Sequence, residues 1–270
     1  MDFSAYRSIA VERRDRVLIL RLDSGRTLNA VTPELHHELG QIFYDAAADA
    51  DSDVIVLTGA GSAFSAGGDV QWLERQTRGE GEPFVTESRT MRAIVHGLLD
   101  CPKPVIAAVN GDAFGIGASL ALLCDIVIAV DSARFADPHV RMGLSAGDGG
   151  ALIWPQLIGF AKAKHYLLTG EAIGAVEAER IGLITFAKPA EEFEAFVATY
   201  AERLARGAQP AIRYTKSTTN LALRQLFNSV FEAGVAYEGL SRETPEFREA
   251  VRAFVEKRKP DFRAAASGDA

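Results

Sequence analysis

The sequence predicts an α/β fold in which helices cover a sheet. Short β-rich apolar runs, such as 54–58 and 105–109, alternate with longer amphipathic stretches along the first 190 residues. This alternation indicates crossover connections between strands. Two of the runs end in glycine-rich turns that open helices, and beyond about residue 190 the glycine turns stop and only amphipathic helices remain.

The elements before the first glycine turn follow from periodicity and capping residues. Residues 17–22 are nearly all apolar and lack the alternation of apolar and polar residues that a strand with one exposed face shows. They therefore predict a strand with neighbours on both faces. A helix over 33–48 is indicated by apolar residues at helical spacing, with Thr32 as N-cap and Pro33 at the first helical position. Residues 76–88 mix Gly, Pro and acidic residues, which predicts a mobile loop close to a site or a simple surface loop.

The later elements rest on the same signals. Strands are predicted at 54–58, 105–109, 126–130, 133–135 and 185–187, and helices at 89–99, 151–158, 159–169, 176–181, 191–206, 210–220, 222–239 and 246–258.

The stretch Pro104–Asp125 organises the chain because it runs from a buried strand through a glycine turn into an apolar helix. A helix that begins at such a turn presents unpaired N–H groups and the positive end of its dipole. A second turn of this kind follows the strand at 54–58, between residues 59 and 70. Two such turns can each direct one backbone N–H at the same carbonyl oxygen, which makes an oxyanion hole.

Composition restricts the class of protein. Of 270 residues, 48% are hydrophobic and 24% charged, and the net charge is −7, which argues against a nucleic-acid-binding role. No apolar run approaches a membrane span and no signal peptide is visible, so a cytoplasmic location is expected. Cys101 and Cys124 lie in apolar segments and are interpreted as buried thiols.

Several segments together resemble the enoyl-CoA hydratase/isomerase (crotonase) superfamily. The resemblance rests on FSAGGDV and PKPVIAAVNGDAFGIGASLALLCDIVIA, and extends to the early Asn29-Ala30, the LLTGE at 167–171 and the AFVEKRKP at 253–260. It implies a crotonase-like spiral of ββα units over residues 1–205. Residues 206–270 would form a C-terminal helical region that packs subunits into a homotrimer or a dimer of trimers.

The resemblance also implies an oxyanion hole and a substrate. The two donors would be the backbone N–H groups of Ala66 and Ile116, within turns whose Gly67, Gly68 and Gly115 bind the substrate. The substrate would be an acyl-CoA thioester, with coenzyme A as part of it and no separate cofactor.

For coenzyme A itself, the positions matching the family are Arg26, Phe254 and Lys257. The alternative is structural, since Phe254 has core spacing and Lys257 could be solvated. No cysteine and histidine spacing or carboxylate cluster suggests a metal site.

The acid and base groups depart from the family pattern. Hydratases of this family hold the attacking water with two glutamates, and those positions fall on Ser119 and His139 here. A serine cannot replace a carboxylate as general base, because its pKa is far too high. Ordinary hydration by two glutamates is therefore not expected.

His139 and Asp148 offer a replacement. A carboxylate within hydrogen-bond reach would fix the histidine tautomer, and the neutral imidazole could then accept a proton from water. The pair resembles that of ring-opening β-diketone hydrolases of the same superfamily. The structural alternative is that His139 caps a turn and Asp148 caps the following helix. Less favoured proton carriers are His36, His37, Glu232 and Glu238.

Three functions remain open at this point. The first is an enoyl-CoA hydratase-type lyase that activates water with His139 and Asp148. The second is a hydrolase of a carbon–carbon bond in a cyclic β-diketone, and the third is a CoA-binding homologue without catalysis. Tight CoA binding without turnover would indicate the third, and turnover without CoA the second.

Overall fold

A computed structural model describes residues 1–267 of the chain and confirms the α/β class. Its strands are β1 (Ile9–Arg14), β2 (Val17–Leu22), β3 (Val54–Gly59), β4 (Val105–Val109), β5 (Ala113–Phe114), β6 (Ile126–Val130), β7 (Arg134–Ala136), β8 (Ile173–Gly174) and β9 (Phe186–Lys188). The helices before residue 190 are α1 (Pro33–Ala48), α2 (Val70–Thr77), α3 (Phe84–Asp100), α4 (Ile116–Leu122), α5 (Gly150–Thr169) and α6 (Ala175–Arg180). The later helices are α7 (Ala190–Ala205), α8 (Gln209–Thr219), α9 (Leu221–Leu226), α10 (Glu232–Arg242), α11 (Pro245–Val255) and α12 (Phe262–Ser267).

Two sheets form the frame. The larger one has the strand order β1-β2-β3-β4-β6-β9 and is parallel except for the antiparallel pair of β1 and β2. Strands β3 and β4 are buried along their whole length, as continuous apolar runs in parallel sheets are. The smaller sheet, β5-β7-β8, lies beside it and carries the ends of the two glycine turns.

The N-cap predicted at Thr32 agrees with the structure, which shows a second cap at Asp69. The Thr32 side chain accepts a hydrogen bond from the N–H of Leu35 at the start of α1. Asp69 accepts one from the N–H of Trp72 at the start of α2, which fixes the direction in which that helix leaves the glycine turn.

Some boundaries differ from the predictions. Strand β1 was not predicted, because only two of its six residues turn inward and three of the other four are charged. The predicted loop at 76–88 is shorter, since α3 begins at Phe84 and buries Glu87 and Ser88. The two helices expected at 151–169 form one span with a kink at Gly159, whose φ of +74° leaves the helical region.

The C-terminal helices pack on the same core as the sheet. Phe227, Phe231 and Val235 belong to the large apolar cluster that contains the strands. Lys216 reaches from α8 to Asp125, at 2.7 Å, where the strand β6 begins. A domain boundary near residue 206 stays a prediction, whereas the close packing explains how α10 comes to face the glycine turns.

No helix in residues 1–267 is both long and apolar enough to cross a membrane.

Candidate active site

A cavity of about 480 Å³ lies between the two glycine turns and the C-terminal helices. Its walls come from α1, α2 and α3 on one side and from α10 and α11 on the other. The lining residues used below are His36, Ala66, Gly67, Gly68, Trp72, Glu87, Met91, Gly115, Ile116, His139, Asp148, Glu238, Arg242, Phe254 and Arg258.

The two glycine turns touch at the cavity wall. Ser65 pairs with Ala113 in a parallel bridge, and the N–H of Phe114 donates to the Ser65 carbonyl at 2.9 Å. Gly67 has a φ of +90°, and a Cβ there would lie 2.9 Å from the Phe114 carbonyl oxygen. Only glycine allows this approach, so the sequence brings the two turns into register through Gly67.

Of the two backbone N–H groups predicted to bind the substrate oxygen, only that of Ile116 is free within residues 1–267. The Ala66 N–H donates to the carbonyl of Leu28 at 2.9 Å, so it is not available to a substrate oxygen. Within the described chain, the N–H groups of Gly68 and Ile116 have no protein acceptor. The donor predicted at Ala66 is therefore replaced by Gly68, two residues later. The reason is that the segment at 27–29 runs alongside the turn and its Leu28 carbonyl accepts the hydrogen bond of the Ala66 N–H.

Ile116 is compatible with a donor position. The positive φ in its turn falls on Gly115, at +52°, and Ile116 begins α4 with ordinary helical geometry. A β-branched residue at this place therefore carries no backbone strain.

His139 lies beside the second glycine turn with both ring nitrogens on carboxylates. Its Nε2 is 3.3 Å from Asp148 Oδ2, and its Nδ1 is 2.5 Å from Asp137 Oδ1. The Ser119 hydroxyl donates to the other oxygen of Asp148 at 2.9 Å. The contact between His139 and Asp148 that their nine-residue spacing permits is thus present. A second carboxylate, Asp137, contacts the other ring nitrogen.

These neighbours decide the charge of the ring. Burial alone disfavours imidazolium, but the two carboxylates outweigh it and hold the pKa of His139 well above its ordinary value. Burial likewise works against ionised Asp148, yet His139 and Ser119 keep its pKa below the usual 3.8. The two carboxylates therefore favour imidazolium over the neutral ring, whereas the sequence-based prediction has the neutral ring accept a proton from water.

Glu238 faces the His139–Asp148 pair from α10. Its Oε1 accepts a hydrogen bond from Arg242 at 2.7 Å, and its Oε2 is buried without a hydrogen-bond partner among residues 1–267. A Cβ on Gly147 would lie 2.7 Å from that Oε2, so Glu238 packs against the turn that carries Asp148. Burial is the main reason that the pKa of Glu238 is raised, and Arg242 only partly opposes it.

Arg242 and Glu87 hold Glu238 in place. The two terminal nitrogens of Arg242 donate to the two oxygens of Glu87 at 2.8 and 2.7 Å. Gln76 donates to Glu87 at 2.6 Å. This bidentate pair fixes the guanidinium, and through it the carboxylate of Glu238.

His36 also lines the cavity. Its ring packs on Trp72 with centroids 5.3 Å apart, and no ring nitrogen has a protein hydrogen-bond partner within residues 1–267. Burial, with His37 and Arg242 nearby, lowers the pKa of His36 to about 3. The ring is therefore neutral at working pH. Its neighbour His37 is half-exposed and lies 3.5 Å from Glu82.

The residues expected at coenzyme A are placed more loosely. Phe254 lines the cavity and is 59% exposed. Arg26 is half-exposed, with its Nε 3.6 Å from Asp69. Lys257 is exposed at the end of α11, and its neighbour Arg258, rather than Lys257 itself, lines the cavity.

The remaining candidates have structural positions. Cys101 and Cys124 are buried, and burial raises the pKa of both thiols. Glu232 pairs with Arg92 at 2.7 Å, away from the cavity. Asp137, His139 and Asp148 are the one set of three potential metal ligands in the described chain; both ring nitrogens of His139 already contact the two carboxylates.

Comparison with known proteins identifies a family and a relative that match almost the whole chain. Residues 12–265 match the family Enoyl-CoA hydratase/isomerase. A probable enoyl-CoA hydratase of Rhodobacter capsulatus is 36% identical over 265 residues, which are 96% of this chain and 98% of that protein.

Two solved structures show the same fold. An enoyl-CoA hydratase/isomerase from Mycobacterium paratuberculosis superposes with a TM-score of 0.85 at 35% identity, over 91% of this chain and 97% of the other. A β-diketone hydrolase from the cyanobacterium Anabaena, bound to (S)-3-oxocyclohexyl acetic acid, gives 0.80 at 29% identity, over 89% and 96%. The expected crotonase-type fold is thereby confirmed.

Proposed function

Because this chain belongs to the enoyl-CoA hydratase/isomerase family and is an enzyme of hydratase type, we propose that it adds water to an enoyl-CoA with an altered acid and base pair. The observation that carries the proposal is the unpartnered Oε2 of Glu238 beside the His139 imidazolium. One group can accept a proton and the other can donate one. The two glutamates of other hydratases are thus replaced by residues from different elements.

The thioester carbonyl is held by the two unpaired backbone donors. Gly68 and Ile116 belong to turns that touch, so their N–H groups converge on one wall of the cavity. Each such donor contributes about 2.7–4 kcal/mol to stabilising an oxyanion when water is excluded. Charge that develops on the thioester oxygen during addition is stabilised there.

Glu238 and His139 move the protons. As the water oxygen bonds to the β-carbon, the Glu238 carboxylate accepts one of the water protons. The electron pair of the double bond passes toward the thioester, and the His139 imidazolium donates its proton to the α-carbon. The product is a β-hydroxyacyl-CoA, and proton exchange with solvent restores both groups. A raised pKa makes Glu238 a stronger base than an exposed carboxylate.

Arg26 and Lys257 are proposed to meet the phosphates of coenzyme A. Both are exposed and cationic, and Phe254 and Arg258 continue this surface into the cavity. A phosphate group would make charge-assisted contacts with either side chain.

Purified protein offered thioesters and diketones tests the function directly. We expect turnover of an enoyl-CoA series, followed by loss of absorbance from the conjugated double bond, and none of a cyclic β-diketone without CoA. Absence of enoyl-CoA turnover at every chain length, with cleavage of the diketone, would contradict the proposal.

Hydrolysis of a carbon–carbon bond is the second candidate. It is favoured by the likeness to the Anabaena β-diketone hydrolase and by the presence of an acid beside the donors. Here water oxygen bonds to a ring carbonyl carbon, Glu238 accepts the water proton, and the carbon–carbon bond breaks. Its electron pair goes to the leaving carbon, which His139 protonates.

Two glycine variants test the oxyanion hole. In Gly67→Ala the new Cβ meets the Phe114 carbonyl at 2.9 Å on a backbone with φ +90°, so the two turns must separate. We expect kcat/KM to fall by about 10²-fold, the effect of losing one donor. Gly68→Ala is the matched control, because its Cβ meets only Leu73 at 3.9 Å and the N–H remains. Equal activity of the two variants would contradict the assignment of the Gly68 and Ile116 N–H groups as oxyanion donors.

Assembly is proposed to use the C-terminal helices. Tyr214, Tyr237 and Leu240, on α8 and α10, are between 64% and 72% exposed. Clustered exposure of large apolar side chains is typical of a protein–protein interface. We expect a trimer or a dimer of trimers in sedimentation velocity at micromolar concentration, and dissociation of Leu240→Glu toward smaller species. A stable wild-type monomer would contradict this.

A further inference from the structure

Buried polar side chains interrupt a cavity wall that is otherwise mainly apolar. At the rim, Phe254 is 59% exposed, whereas His36, Glu87 and Glu238 are each 2% exposed and line the same cavity. An acyl group that enters past the rim therefore meets these hydrogen-bonding groups as well as apolar side chains. The wall is not uniformly apolar, as it would be for a simple saturated tail.

His36 has no other use in the structure. It makes no contribution to the proton transfers proposed above, and its ring nitrogens have no partner among the described residues. Its position is nevertheless fixed by α1 and by packing on Trp72. A neutral imidazole offers one donor and one acceptor, and a ligand that covers it without a hydrogen bond leaves it unsatisfied.

We propose that the acyl group carries a neutral oxygen, as a hydroxyl or a ketone, that hydrogen-bonds to His36. The proposal rests on the proposed thioester function, and it names the class of acyl group that this site selects. The neutral ring serves as a positioned hydrogen-bond partner for that oxygen rather than as a proton carrier.

The charges of the wall exclude a carboxylate in that position. Among the described residues three arginines line the cavity: Arg141 is exposed, Arg258 pairs with Glu249 and Glu256, and Arg242 has both terminal nitrogens on Glu87. Four carboxylates lie around His139 and Arg242; they are Glu87, Asp137, Asp148 and Glu238. A carboxylate on the acyl group beside His36 would meet like charge, and Arg242, the arginine that acts on His36, is already paired.

Binding of inert thioesters tests the proposal without turnover. Saturated acyl-CoAs of equal length, ending in methyl, hydroxyl, methyl ketone or carboxylate, are titrated by calorimetry into the wild-type enzyme. We expect the hydroxyl or ketone thioester to bind about tenfold more tightly than the methyl one, the effect of one hydrogen bond of ordinary net strength. The carboxylate thioester should bind most weakly.

Two variants of the same residue separate hydrogen bonding from packing. His36→Phe should remove the preference for oxygen, whereas His36→Gln should retain part of it. Equal binding of all four thioesters, or tightest binding of the carboxylate, would overturn the inference while leaving the CoA function intact. Failure of every thioester to bind would overturn both. A preference that survives in His36→Phe would assign the oxygen to another residue and would also overturn the inference.

Discussion

His139→Ala is expected to lower kcat by about 10²–10⁴-fold with little change in substrate affinity. The reason is that a positioned acid is removed from the transition state, and general acid catalysis supplies a factor of this size. The measurement is steady-state kinetics on the enoyl-CoA that the wild-type enzyme consumes best. Ser119→Ala is the matched control, since Ser119 donates to Asp148 from the side away from His139 and should cost far less. Near-full activity of His139→Ala would exclude His139 as the acid.

The pH dependence of the rate also tests the proposal that His139 is the acid, because the proposal predicts the direction of the change. Imidazolium is the active form, so the rate should fall as pH rises through the raised pKa of His139. From the His139–Asp148 spacing alone we expect the opposite slope, since neutral imidazole would then accept the proton. Asp148, and Asp137 as a second negative neighbour, reverse that expectation because both carboxylates raise the pKa of His139. Asp137→Asn should move the alkaline decline to lower pH, and a decline that stays in place would contradict the assignment.

Stability should follow the same ionisation. The folded protein binds the His139 proton more tightly than the unfolded chain, whose histidine has the ordinary pKa of 6.5. This contribution is complete below that pH and is lost as pH rises through the folded-state pKa. Thermal unfolding of wild type and His139→Gln across this range should therefore converge at alkaline pH.

Glu238→Gln alone is also expected to reduce kcat by about 10²–10⁴-fold. The substitution keeps the shape and an acceptor for Arg242, but an amide cannot accept a proton from water. The wild-type rate should also decline as pH falls through the raised pKa of Glu238, and this acid limb should vanish in the variant. Kinetics between pH 4 and 7 measure both effects.

Glu232→Gln controls for changes on the same helix. Glu232 pairs with Arg92 in a partly exposed salt bridge, so its loss should change stability by no more than about 1 kcal/mol and leave kcat unchanged. Arg242 keeps its bidentate contact with Glu87 in Glu238→Gln, which should preserve the fold. If Glu238→Gln retained full kcat with normal thermal unfolding, another residue would have to accept the water proton.

Much of the fold was predictable from local sequence. The buried strands and the helix at 33–48 follow from apolar runs and a capping threonine, and these signals act over a few residues. The His139–Asp148 pair could also be proposed, because only nine residues separate the two groups. What local sequence could not decide was which turn amide is free, since the Leu28 carbonyl that occupies Ala66 arrives from another segment.

The groups that surround Glu238 and His139 were missed or ranked low for the same reason. Glu87 lay in a stretch interpreted as a loop, and its partner Arg242 is 155 residues away in the sequence. No periodicity links such positions. Asp137 was closer, two residues before His139, and a carboxylate at that spacing in a turn was a usable signal.

The ion pair between α3 and α10 has a consequence for the order of events during synthesis. Domains emerge from the ribosome with the N-terminal portion first. The strands, both glycine turns and His139 are therefore translated before α10 brings Glu238 to them. Until then Glu87 is a carboxylate without its arginine, and the nascent chain lacks the proposed base. Competence for catalysis is thus acquired as a late docking step, and a chain that stops before residue 238 is expected to be inert.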